Sequence, residues 1–206
     1  MFIGLNRCVN GVAPIPLRAG DAEAEAWATS SDATLRRAAA LGDVEAFAAI
    51  IDRHGPSMFR YARRMLNDQG DAEEVVQDAF VAAWKALPDF RGDATLRTWL
   101  FTITGRKAVD LFRKKRAVPV EETALTDLPA PGTDPAGQAV ETGLLDALGA
   151  ALADLPWLQR AVWLLREVEQ MSYTEIAIVL NTSPTVVRGQ LARARANLKH
   201  RLEAWR

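Results

Sequence analysis

From residue 32 onward apolar residues recur at helical spacing. Phe47, Ile50 and Ile51 make one stripe, Met58, Tyr61, Ala62 and Met65 a second, and Val75, Val76, Ala79, Phe80 and Ala83 a third. Asp32, Asp43 and Asp71 stand where each can cap a helix start. Gly55-Pro56 predicts a break between the first two stripes, Asn67-Asp68-Gln69-Gly70 a turn, and Leu87-Pro88 the end of the third helix. After a polar loop, Thr95 to Arg116 predicts one long helix. Near the C-terminus, Ser172 to Leu180 predicts a short helix with Ile176, Ala177 and Leu180 inward. Asn181 suits the left-handed turn that follows, Ser183 can cap, and Pro184 fits the first position of a helix reaching about Trp205. Val187 and Leu191, four apart, face back onto the first helix, the pattern of a helix-turn-helix. No alternation of the strand type appears, so the expected fold is all-α.

Two stretches interrupt the periodicity. Residues 1–31 carry Gly4, Gly11, Pro14, Pro16 and Gly20 and a solvating acidic run, which predicts a disordered extension. Residues 117–140 hold four prolines, two glycines and no basic residue, which predicts an extended, flexible linker. The expected organisation is two small helical domains, 32–116 and 141–206, each near the size at which a helical core stands alone. Across all 206 residues, 25 basic side chains meet 26 acidic ones, a formal charge of −1 that argues at first against a polyanion partner. Segment by segment that argument fails. Residues 33–116 carry +4, residues 117–146 carry −6, and residues 147–206 carry +3. Two cationic blocks flank an anionic spacer, the asymmetry expected of a nucleic-acid binder.

Three stretches carry candidate chemistry. The last helix bears Arg188, Arg193, Arg195, Lys199 and Arg201 on its outward face. Laid in a major groove, it would bring Ser183, Thr185, Val186, Arg188 and Gly189 to base edges and Arg193 and Arg195 to phosphates. The bland reading is a helical hairpin with a solvated basic face. The helix 95–116 carries seven basic residues against Asp110 alone, with Phe90, Trp99, Phe101 and Phe112 interleaved. That combination suits strands being parted, where unstacked bases need aromatic partners and phosphates need cations. Taken singly, Trp99 and Phe101 read as core residues. The helix from Asp71 presents Asp71, Glu74, Gln77 and Asp78 outward, which alone reads as a solvated face.

Together these stretches resemble the bacterial extracytoplasmic-function (ECF) sigma factors of the sigma-70 family. The resemblance rests on Asp71 to Trp84 (DAEEVVQDAFVAAW), Phe90 to Leu100 (FRGDATLRTWL), Asp154 to Arg160 (DLPWLQR), Thr174-Glu175-Ile176-Ala177 and Arg193-Ala194-Arg195. It spans about residues 33–116 and 141–205. The resemblance implies that 32–116 is sigma region 2 and 141–206 sigma region 4, joined by the acidic linker threading the polymerase cleft. It implies a transcription initiation factor that brings core RNA polymerase to promoters and promotes their opening. It places the contact with the polymerase clamp helices on Asp71, Glu74, Gln77 and Asp78, with region 4 meeting the flap. It places the −10 element on Phe90, Arg91, Asp93, Arg97, Arg106, Lys107, Arg113 and Lys114. The −35 element falls to Ser183, Thr185, Val186, Arg188, Gly189, Ala192, Arg193 and Arg195. It also implies control by an anti-sigma factor. Two departures lie near DNA: Arg106 stands where the family commonly has Asn, and Thr185-Val186-Val187 replaces a usual Gly-Thr-Val.

Other function classes fit less well. An operator-binding regulator would use the helix-turn-helix but has no need of the basic helix beside an aromatic loop. An enzyme is not expected: no Gly-rich phosphate loop with Lys is present, and His54 and His200 fall in separate domains. Asp68, Asp71, Glu73 and Glu74 lack the calcium-loop pattern, so neither metal nor cofactor is expected. A lone Cys8, the lack of an apolar run of membrane-spanning length and the lack of a basic leader before the first apolar residues make the cytoplasm the expected compartment.

Overall fold

The computed structural model describes residues 26–116 and 143–203. The expected linker, 117–140, lies outside the described residues. The expected tail overlaps them only at 26–31, and there the chain is ordered. Residues 26–29 are helical, Trp27 packs against the core, and Arg53 Nη2 donates to the Ala28 carbonyl at 2.8 Å. The ordered chain therefore starts before residue 32.

After the short helical stretch at 26–29, the N-terminal half is built from α1 (Asp32–Ala40), α2 (Val44–Leu66), α3 (Gln69–Ala86) and α4 (Leu96–Arg116), with a 3-10 turn at Leu87–Asp89. The C-terminal half holds α5 (Gly143–Ala153), α6 (Trp157–Trp163), a π-helical segment (Leu164–Val168), α7 (Tyr173–Val179) and α8 (Pro184–Leu202). Among the described residues there is no strand.

Capping explains the starts, and it corrects two expectations. Asp43 caps α2 through Ala46 N–H at 2.9 Å as expected. For α1, however, Ser31 takes that place, accepting from Thr34 N–H at 3.2 Å. For α3 the cap is Asp68, accepting from Asp71 N–H at 2.8 Å, so Asp71 already lies in the first turn. The short turn is set by Asn67, whose φ of 58° reverses the chain at once. Gly55-Pro56 does not break the helix, because α2 runs through it. Proline removes one N–H but accepts helical φ; Pro56 sits on the exposed face, where water can serve the freed Asp52 carbonyl.

The core is continuous through both halves. In the N-terminal half α2 supplies Ile50, Met58, Ala62 and Met65, all fully buried, against Ala79 and Ala83 of α3 and Leu100, Phe101 and Ala108 of α4. In the C-terminal half Leu155, Trp157, Ala161, Leu165, Ile176, Val187, Leu191 and Ala194 close the second centre. Between them the Phe112 and Trp157 rings meet at 4.8 Å, and the fully buried Arg160 donates from Nη1 to the Met65 carbonyl at 2.9 Å. Arg160 also donates to the Ala153 carbonyl, so a charge at the seam is held by main-chain acceptors of both halves.

Candidate nucleic-acid and protein interfaces

The C-terminal pair of helices is the more rigidly specified surface. Ser172 and Glu175 form a reciprocal capping box that starts α7. These hydrogen bonds, the Ser172 amide foremost, hold the Glu175 carboxyl below its ordinary range. Asn181, at φ 48°, ends the short helix. Thr182 N–H reaches the Ala177 carbonyl at 2.9 Å and Asn181 N–H the Ile178 carbonyl at 3.2 Å, the Schellman arrangement. Ser183 then caps α8, accepting from Val186 N–H at 3.3 Å, and Pro184 occupies its first turn. Val187, Leu191, Ala194 and Leu198 bury one side of α8. Away from that side Ser183, Thr185, Val186, Arg188, Ala192, Arg193 and Arg195 are exposed and Gly189 is half-buried. Arg188 lies over the Tyr173 ring at 5.6 Å, and Arg166 over the same ring at 4.9 Å. Arg195, expected to meet a phosphate, is already held by Glu167, with Nε and Nη2 donating to one carboxylate oxygen.

The N-terminal half carries the second surface. The loop before α4 turns at Gly92, whose φ of +83° only glycine adopts without strain, and it exposes Arg91 and Asp93. Phe90 stacks on Trp99 at 4.7 Å, both rings half-buried, so Trp99 is less enclosed than a core tryptophan. Arg36 lies near the Phe90 ring, 5.7 Å from its centroid, and donates to the Phe90 carbonyl at 3.4 Å. Thr95 caps α4 by accepting from Thr98 N–H at 3.1 Å. Arg106 and Lys114 are exposed; Lys107 is half-exposed and pairs with Asp78 at 3.2 Å. Arg113 departs from the expectation, since its guanidinium is partly enclosed, with Nε and Nη2 buried.

On α3, Glu74, Gln77 and Asp78 are exposed along one face with Val81 beside them. Asp71 is half-buried and accepts from Lys115. The acidic face and the basic helix therefore adjoin, bridged by Asp71–Lys115 and Asp78–Lys107. Neither pair closes off Glu74 or Gln77.

Arg97 lies elsewhere than on an open surface. Its Nη2 donates to the Glu169 carbonyl at 2.8 Å and to Glu169 Oε2 at 2.9 Å, and its guanidinium lies over Phe101 at 5.2 Å. Arg60 Nη2 stands 3.5 Å from the other oxygen of the same carboxylate. Beside them Thr98 Oγ1 donates to Glu175 Oε1 at 3.2 Å. Arg60, Glu169 and Tyr173 are absent from the sequence-based site. Only contact across the seam singles out Arg60 and Glu169, and no local pattern marks it. Among the described residues no cluster of His, Cys, Asp or Glu could hold a metal, and no helix is long and apolar enough to cross a membrane.

Comparison with known proteins fits these two surfaces. Residues 50–118 match the model of sigma-70 region 2, and residues 145–198 match that of sigma-70 region 4. The RNA polymerase sigma factor NccH of Alcaligenes xylosoxydans is 36% identical over 183 residues, covering 85% of this chain and 96% of that protein. The ECF RNA polymerase sigma factor SigM of Mycobacterium tuberculosis is 34% identical, over 82% of this chain and 83% of its own. Among solved structures, CnrH in complex with the cytosolic domain of CnrY superposes with a TM-score of 0.66 at 35% identity, over 85% of this chain and 99% of that one. The two regions match in order along the chain, and relatives more than 30% identical span most of its length, so the chain belongs to the ECF sigma factors of the sigma-70 family of RNA polymerase sigma factors.

Proposed function

We propose that the two halves divide the work of initiation, with 32–116 and 141–206 as the functional units. In this reading Glu74, Gln77 and Asp78, with Asp71 at the edge, dock on the polymerase clamp helices by charge complementarity. Phe90, Arg91, Asp93, Arg97, Arg106, Lys107 and Lys114 hold the −10 segment as it opens, the stacked Phe90–Trp99 pair offering a surface to unstacked bases. Arg113 serves there only if its guanidinium swings outward. Ser183, Thr185, Val186, Arg188, Gly189, Ala192 and Arg193 read the −35 duplex, and Arg195 reaches a phosphate by leaving Glu167. Bond-making chemistry stays with the polymerase, and the chain acts in the cytoplasm with no cofactor.

The observation that supports this reading best is the exposure of α8 off its buried stripe, where all the side chains assigned to the −35 element except half-buried Gly189 are open to solvent. CnrH is bound by the cytosolic domain of CnrY, and by likeness an anti-sigma partner binds this chain. In vitro transcription with core polymerase over a genomic library tests the whole. Arg188→Ala is expected to cut promoter-specific initiation about tenfold, the scale of one good base contact, while polymerase binding persists. Undiminished initiation at every cognate promoter would remove α8 from promoter reading. The pair Gln77→Ala with Asp78→Ala is expected to lower polymerase affinity in competition with a second sigma factor. Equal competition would dismiss that face.

A further inference from the structure

Glu169 is an unusual place for a charge. Its side chain is 2% exposed, it follows the π-helical segment directly, and the next residue, Gln170, has a φ of 56°. A carboxylate so enclosed needs cations, and both come from the other half of the molecule. Arg97 serves Oε2 at 2.9 Å and Arg60 faces Oε1 at 3.5 Å. The two arginines sit on α2 and α4 of one domain, so they stay together when the C-terminal half moves away. Neither is sealed: their side chains are 51% and 31% exposed for Arg60 and Arg97. Two guanidinium groups, each facing one oxygen of an anion, also match the two free oxygens of a phosphodiester. Arg97 lies in the first turn of α4, directly after the loop that carries Phe90.

We propose that Arg60 and Arg97 form one seat for a backbone phosphate of the separated promoter strand, and that Glu169 occupies this seat in the closed chain. The inference rests on the reading of Arg97 as a −10 residue and extends it in two ways. Arg60 becomes a DNA-binding residue, and the C-terminal half becomes a competitor that withholds the seat until the halves part. Carboxylate and phosphate use the same donors, so occupancy by one excludes the other.

The test uses the full chain and a short single-stranded oligothymidine, since a phosphate seat is blind to sequence. Binding is followed by fluorescence anisotropy across a salt series. Arg60→Ala and Arg97→Ala are each expected to weaken binding several-fold and to flatten the dependence of log K on log salt by about 0.7, the loss of one phosphate contact on a single strand. Glu169→Gln, nearly the same in shape, is expected to tighten binding several-fold because the seat is no longer filled. If Arg97→Ala weakens binding and Arg60→Ala does not, the shared seat is wrong while the −10 reading of Arg97 stands. If Arg97→Ala changes nothing, the −10 reading itself fails. Unaltered affinity in Glu169→Gln, with both arginine variants weakened, would show that the carboxylate does not compete and overturn that half of the proposal.

Discussion

His54 is the residue whose environment most constrains behaviour with pH. It is 6% exposed within α2, with Nε2 3.2 Å from Asp32 Oδ2. Burial pushes its pKa down, and the attraction of Asp32 offsets only part of this, opposed in turn by the charges of Arg53 and Arg97. A histidine held below its ordinary value, about 6.5, binds fewer protons folded than unfolded. Its contribution to stability is therefore complete above that value and is lost as the pH falls below it. Denaturant midpoints are expected to drop as the pH falls below about 6.5. His54→Gln, which cannot titrate, is expected to flatten the drop. An equally steep profile in that variant would place the acid sensitivity on another group.

At the scale of elements, the caps decide where surfaces begin. Ser172 serves two functions through Glu175: the pair starts α7, and the same Glu175 accepts from Thr98 across the seam. Ser172→Ala is expected to cost about 1 kcal/mol, as lost N-caps do. For a chain of this size that lowers the melting temperature by about 2–4 °C in calorimetry. A change of under about half a degree would mean that the backbone donors find water without loss. The caps also show what the sequence can and cannot disclose. Asp43, Ser183, Pro184 and Asn181 were legible because a cap acts on residues two or three away. Ser31 and Asp68 were misplaced by one to three positions, since several neighbouring residues were competent to cap and packing chose between them. Pro56 misled because the punctuation rule ignores exposure: on the wet side of a long, well-buried helix one missing donor is tolerable. The π-helical segment, Leu164–Val168, had no signal in the local sequence pattern.

At the scale of the whole molecule, the charge blocks pointed to a polyanion partner but not to the arrangement. Glu169 and Arg97 are 72 positions apart, and no periodicity connects them. The seam is built from groups that each domain could have solvated alone: the Met65 carbonyl, Thr98, Arg97 and the edge of Phe112. Because its buried residues run on into both cores, the two halves are expected to unfold together in one calorimetric transition. Phe112 is the residue to remove. It is 6% exposed on α4, and its ring meets Trp157 of the other half at 4.8 Å. Phe112→Ala takes away a large apolar contact, worth about 3–5 kcal/mol in a typical core, and leaves the caps and hydrogen bonds of each half in place. The expected outcome is two separated transitions, the N-terminal half melting earlier because it loses its own buried ring. A single transition displaced to lower temperature would mean that the polar contacts, Arg160 to Met65 and Arg97 to Glu169, suffice to couple the halves. Two transitions already present in the unaltered chain would mean that the seam is too weak to join the cores. In that case each half would keep its fold whether or not the other is docked.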